Sequence, residues 1–164
     1  MDDTLTVAET LYGLNQAMRL REALRAGHGK LVFTNGHFDL LHVGHLDYLE
    51  KARALGDALI LGLNGDGSTE QLKGTGRPIV PAIERARLLA ALRPVDAVVI
   101  FDDPTAEALI GKLQPEIYVK GGDYAHKHLP ERALVESYGG RVVLIDYLPG
   151  HSTTALIQKI RALP

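Results

Sequence analysis

At 164 residues, with 46 % hydrophobic and 23 % charged residues, the chain suits one globular domain able to bury a continuous core. Its net charge of -2 offers no basic excess for nucleic acid, and the lack of cysteine excludes disulfide scaffolding, cysteine nucleophiles and thiolate metal sites. No apolar run approaches the ~18 residues of a membrane span. The acidic start MDDTLTVAETLYGLN lacks the basic-then-apolar pattern of a secretory signal, so a cytoplasmic protein is expected.

In chain order, residues 10–26 read as a helix, within an N-terminal extension (1–27) to a single domain over 1–164. KLVFTN (30–35) is a short apolar strand ending in polar residues. HLDYLEKARAL (45–55) places Leu46, Leu49, Ala52 and Leu55 at helical spacing, with Gly56 as a stop. ALILGLN (58–64) is strand-like again, and PAIERARLLAALRP carries the stripe Ile83, Ala86, Leu89, Ala90 between prolines. VDAVVIF (95–101), EIYVK (116–120) and RVVLIDY (141–147) give further strands. Helical patterns cover about 105–113, 130–138 and 153–162.

Near-continuous apolar strands alternating with helices predict a parallel sheet covered on both faces. Ligands of such sheets bind beyond the carboxyl ends of the strands. Polar residues collect there: TNGHFD after the first strand, NGDGST after the second, KGGDY after the fourth, LPGHSTT after the fifth. A single active edge is therefore expected.

The segment TNGHFDLLHVGH (34–45) concentrates the chemistry. Gly44 lets a ligand approach the backbone, and His45 falls in the first helical turn, where unpaired amides favour an anion. His42, three residues earlier, can point to the same place. Two imidazoles beside a helix N-terminus can donate to phosphate oxygens and gain positive character as charge builds on them. Two other readings stand beside this one: histidines that cap and pack a turn, and a zinc site built on His37, His42 and His45. A spacing of three in a turn differs from the i, i+4 helical metal pair, and no residue is assigned as a metal ligand.

GHFDLLHVGH resembles the G-x-F-D-x-x-H-x-G-H signature of the cytidylyltransferase-like nucleotidyltransferases, with Gly36, Phe38, Asp39, His42, Gly44 and His45 in place. The resemblance implies a Rossmann-like, doubly wound, five-stranded parallel sheet with helices on both faces. It implies that His42 and His45 contact nucleotide phosphates and stabilise the transition state, with Thr34, Asn35, Gly36, Phe38 and Gly44 around the nucleotide. LKGTGRP (72–78) resembles the Lys-Gly-x-x-Arg-Pro loop, making Lys73 a mobile cation on the triphosphate and Arg77 its assistant; read alone, Lys73 is a solvated loop lysine. VKGGDY (119–124) and HSTTALI (151–157) extend the match. Lys120 then faces the nucleotide, Gly121 and Gly122 allow its close approach, and Ser152, Thr153 and Thr154 offer hydroxyls and amides to phosphates; by itself STT is an N-cap. Asp39 either holds the motif backbone or contacts the acceptor. Asp66 and Asp123 are acceptor-side candidates, Asp66 doubling as a turn residue. His126 and His128 read as surface residues.

The motif order over about 28–162 resembles the heptose 1-phosphate adenylyltransferases. This implies transfer of AMP from ATP, with Mg²⁺, to a sugar 1-phosphate by a homodimer. His37 stands where that group often has cysteine or a small residue, which bears on the sugar side. Rivals are a glycerol-3-phosphate cytidylyltransferase or FMN adenylyltransferase of the same fold, and, from another class, a non-catalytic nucleotide-binding sensor.

Overall fold

The computed structural model describes residues 12–164. The reading of the N-terminal stretch and the first residues of the expected 10–26 helix lie outside them. The element order is α1 (Leu14–Ala26), β1 (Leu31–Gly36), α2 (Val43–Arg53), β2 (Ala58–Asn64), α3 (Asp66–Lys73), α4 (Ala82–Ala90), β3 (Ala97–Phe101), α5 (Glu107–Leu113), β4 (Ile117–Gly121), a 3₁₀ turn (Gly122–His126), α6 (Glu131–Ser137), β5 (Arg141–Ile145) and α7 (Thr153–Arg161).

The five strands form one sheet in the order β3-β2-β1-β4-β5, and every pairing is parallel. The strand order reverses between β1 and β4, which opens a crevice at their carboxyl ends. Alternate residues of each strand feed opposite cores. Val32, Leu59, Leu61, Val98 and Val119 pack against Tyr48, Leu49 and Ala52 of α2 and Ala86 and Leu89 of α4. Leu31, Phe33, Ile60, Val99 and Tyr118 pack against Ala17 of α1, Leu109, Ile110 and Leu113 of α5 and Val135 of α6. Both faces are covered, as the apolar strands require. Among the described residues no helix is long and apolar enough to cross a membrane.

Two departures from the sequence reading matter for the site. The helix expected at 45–55 begins at Val43, with His42 in extended conformation as its N-cap. The polar stretch after β2 is a helix, α3, and Lys73 is its last residue rather than a residue of a free loop. Its buried side is Ser68 and Thr69, so it lacks an apolar stripe. Its start is fixed from outside: Asp102, just past β3, accepts from the Ser68 amide at 3.2 Å.

Candidate active site

A cleft of about 680 Å³ lies over the carboxyl ends of the strands. Asn35, Gly36, Phe38, Asp39, His42, Gly44, His45, Lys73, Arg77, Lys120, Gly121, Asp123, Ser152, Thr153 and Thr154 all line it, so β1, β4 and the starts of α2 and α7 deliver most of the sequence candidates to one place.

The histidines are organised by the α2 N-terminus. The His42 amide donates to His45 Nδ1 at 3.3 Å, and the rings stack with centroids 3.8 Å apart. With Nδ1 accepting, neutral His45 carries its proton on Nε2. Burial, and then His42, push the His45 pKa down to about 4. His42 is lowered as well, by burial and then by His151. Its Nδ1 is sealed and without a partner. Both rings are therefore neutral near pH 7 in the protein alone, and an anion beside them would favour their protonated forms.

Gly44 lines the cleft and has a packing reason as well: a Cβ there would lie 2.9 Å from both His42 Nδ1 and His151 Cβ, so the missing side chain makes room for those residues. A Cβ on Gly121 would collide with the Tyr147 hydroxyl, and one on Gly122 with Asp146, so both positions need glycine for packing; Gly121 lines the cleft and Gly122 lies outside its wall.

Asp39 is buried and committed. Its carboxylate accepts from the Ile79 and Val80 amides at 2.9 Å and from Arg77 Nε at 2.7 Å. Burial alone would raise its pKa; the two amides and the arginine outweigh that and hold it below the usual carboxylate value. Asp39 thus ties the loop after α3 to β1 and has no oxygen left over for an acceptor. It also sets Arg77 at the cleft. Lys73 is exposed there with no hydrogen-bond or ion-pair partner among the described residues.

Asp66 and Thr34, both sequence candidates, lie outside the cleft wall. Asp66 Oδ1 accepts from the Ala82 amide and from Arg85 Nη2, each at 2.8 Å, which joins α3 to α4. Arg85 is fully buried and also donates to the Val80, His37 and Asn64 carbonyls. Thr34 is buried too, its hydroxyl 2.8 Å from the Tyr48 hydroxyl and 2.9 Å from the Val119 carbonyl, so it fixes β1 to β4 and α2.

Among the described residues Lys120 has no carboxylate within ion-pair distance. Its Nζ is 3.5 Å from the Asn35 carbonyl and 4.7 Å from the Tyr124 ring centroid. Burial lowers its pKa, against the raising effects of Glu131 and Asp123. Asp123 reaches the cleft wall but pairs with exposed Lys127 at 2.8 Å. His37 sets its Nδ1 2.9 Å from the Thr69 hydroxyl, and its pKa is pushed down to about 4 by burial and then by Lys73, Arg85, Lys120 and Arg77. Ser152 caps α7, accepting from the Ala155 amide at 3.0 Å, and Thr153 reaches back to the Leu40 carbonyl at 3.4 Å.

Sequence reasoning missed Tyr147, His151 and Glu131, which line the cleft; His128 is exposed, as expected, and stands at the cleft rim. His151 was legible, directly before the STT motif. Glu131 sits in an unremarkable helix start and gave no signal. Among the described residues no cluster of His, Cys, Asp and Glu could hold a metal ion.

Comparison with known proteins narrows the reading. The chain is 55 % identical over 150 residues to the bifunctional protein HldE of Syntrophotalea carbinolica, covering 87 % of this chain and 31 % of that protein. It is 57 % identical over 132 residues to HldE of Geotalea uraniireducens (80 % and 27 % covered). With HldE of Streptomyces coelicolor it shares 49 % over 140 residues (85 % and 30 % covered). The chain thus spans less than a third of these relatives. Its fold is similar to that of a lipopolysaccharide core biosynthesis protein from Thermoplasma volcanium, at a TM-score of 0.60, 24 % identity and coverage of 73 % of this chain and 97 % of that one. The family model described as cytidylyltransferase-like matches residues 33–159, and with its signature assembled at the switch point of a parallel sheet the chain belongs to the cytidylyltransferase-like family.

Proposed function

We propose that this chain transfers AMP from ATP to a sugar 1-phosphate, D-glycero-β-D-manno-heptose 1-phosphate, giving ADP-heptose and pyrophosphate. The observation that carries the reading is the stacked His42–His45 pair at the start of α2, facing the same cleft as Lys73, Lys120 and Ser152–Thr154. The identity to the HldE proteins supports the choice of acceptor, as does the motif order. A cytoplasmic homodimer goes with it.

An oxygen of the sugar phosphate attacks the α-phosphorus in line, the bond to the bridging oxygen breaks, and pyrophosphate leaves. No protein nucleophile is required. The protein's work is to bring two anions together and to neutralise charge on the α-phosphate and leaving group. His45 Nε2–H and His42 donate to those oxygens, and Lys73 and Lys120 add charge. Mg²⁺ brought in with ATP would neutralise charge on the leaving pyrophosphate, beside Lys73 and Lys120.

The test is a panel of sugar 1-phosphates, glycerol 3-phosphate and FMN against ATP, CTP and GTP, read by pyrophosphate release. Release with ATP and heptose 1-phosphate above all other pairs is expected. Preference for CTP with glycerol 3-phosphate would replace the proposal with a cytidylyltransferase. Tight ATP binding without release from any pair would make the chain a binder.

A further inference from the structure

The cleft straddles the crest of the sheet. His42 and His45 belong to α2, which packs on one face, and the starts of α2 and α7 meet there. The opposite wall is built by Thr105, Leu129 and Glu131, from the segments that lead into α5 and α6 on the other face. The assigned phosphate-binding groups leave this second wall unexplained.

Among the described residues three carboxylates line the cleft, and two are engaged: Asp39 by the Ile79–Val80 amides and Arg77, Asp123 by Lys127. Glu131 is different. Only 5 % of it is exposed, and its Oε1 accepts from the Ala106 amide at 3.1 Å. Its Oε2 has no hydrogen-bond partner among the described residues, and the residue lines the cleft. A nearly buried carboxylate calls for donors on every oxygen. A phosphate cannot supply them and would be repelled, whereas a polyol can.

We propose that Glu131 is a specificity-determining residue that receives hydroxyl groups of the acceptor sugar, Oε2 accepting their hydrogen bonds while the sugar's phosphate points to Lys73 and Lys120. The proposal rests on the sugar 1-phosphate reading above. It gives the acceptor a direction: hydroxyls on the α5–α6 wall, phosphate at the crest, nucleotide on the α2–α7 side.

The test is Glu131→Gln, which keeps an oxygen for the Ala106 amide and turns the cleft-facing acceptor into a donor. The KM for heptose 1-phosphate is expected to rise at least about tenfold, with the KM for ATP within about twofold, because a site built for a substrate hydroxyl discriminates through that contact. Calorimetric titration with mannose 1-phosphate, in the presence of a non-hydrolysable ATP analogue, should show the same loss, while inorganic phosphate binds as to wild type. Glu131→Ala, which also orphans the Ala106 amide, should lose thermal stability that Glu131→Gln retains. An unchanged sugar KM in Glu131→Gln overturns the proposal. So does a rise confined to ATP, which would place the ribose on Glu131, or wild-type protein that binds mannose 1-phosphate no tighter than phosphate. Failure of wild type to release pyrophosphate with any sugar phosphate defeats the functional reading instead, and the titration still decides where Glu131 acts.

Discussion

At the scale of the residue, the imidazoles of the unliganded cleft are held neutral by burial. His45 is fixed by the His42 amide on Nδ1, so its remaining N–H is a directed donor before any substrate arrives. A preset donor costs no reorganisation when charge develops on the α-phosphate, and loss of one such donor lowers turnover by about 10²–10³. His45→Ala is therefore expected to cut kcat at least about a hundredfold, with a native circular-dichroism spectrum. His45→Gln, which returns an N–H at similar reach, should recover part of the loss; near-normal turnover in His45→Ala would remove the assigned role. The sequence made these two histidines legible because their spacing is local. It could not show the packing role of Gly44 and Gly121 for a physical reason: a missing Cβ looks the same in sequence whether or not, as here, His42, His151 and Tyr147 fill the space.

At the scale of the element, the segment after α3 is anchored at Arg77, Ile79 and Val80 by one carboxylate. Asp39 accepts from the Ile79 and Val80 amides and from Arg77, so this carboxylate places the loop that follows Lys73. Asp39→Ala leaves those donors unpaired and is expected to cost about 3 kcal/mol in urea unfolding. It should also free the loop, so that trypsin cuts after Lys73 faster and the KM for ATP rises. Equal cleavage rates in wild type and variant would show that something else holds the loop. The helix before it, α3, was not legible. Its buried residues are Ser68 and Thr69, and its first turn is completed by Asp102 from a distant strand end. A helix whose inner face is polar and whose start is fixed by tertiary contact carries no periodic signal. The five strands were legible because burial on both faces makes each a continuous apolar run.

At the scale of the whole molecule, the site is written into stability as a function of pH. His37 and His45 are each pushed down to about 4, and His42 is lowered too. In the unfolded chain these imidazoles titrate near the ordinary value of 6.5. Below that pH the unfolded state takes up protons that the native state refuses. Their contribution is thus complete above 6.5 and is lost as pH falls from 6.5 toward 4. A second stage lies lower. Burial raises Glu116, but the hydrogen bonds from Arg21 and the Leu31 amide outweigh it, and its pKa, like that of Asp39, ends below the ordinary value. Both carboxylates stabilise the protein at neutral pH and cease to do so as pH falls through their lowered values. Calorimetry should accordingly show a Tm that is flat above pH 7, declines from 6.5, and falls more steeply below about 4. Saturating ATP should reduce the first decline and leave the second, because a polyanion beside the imidazoles raises their native pKa values. His37→Asn should shallow the first decline by removing one of the titrating rings, and an unaltered slope in that variant would mean that His37 is not held neutral by burial and its cationic neighbours.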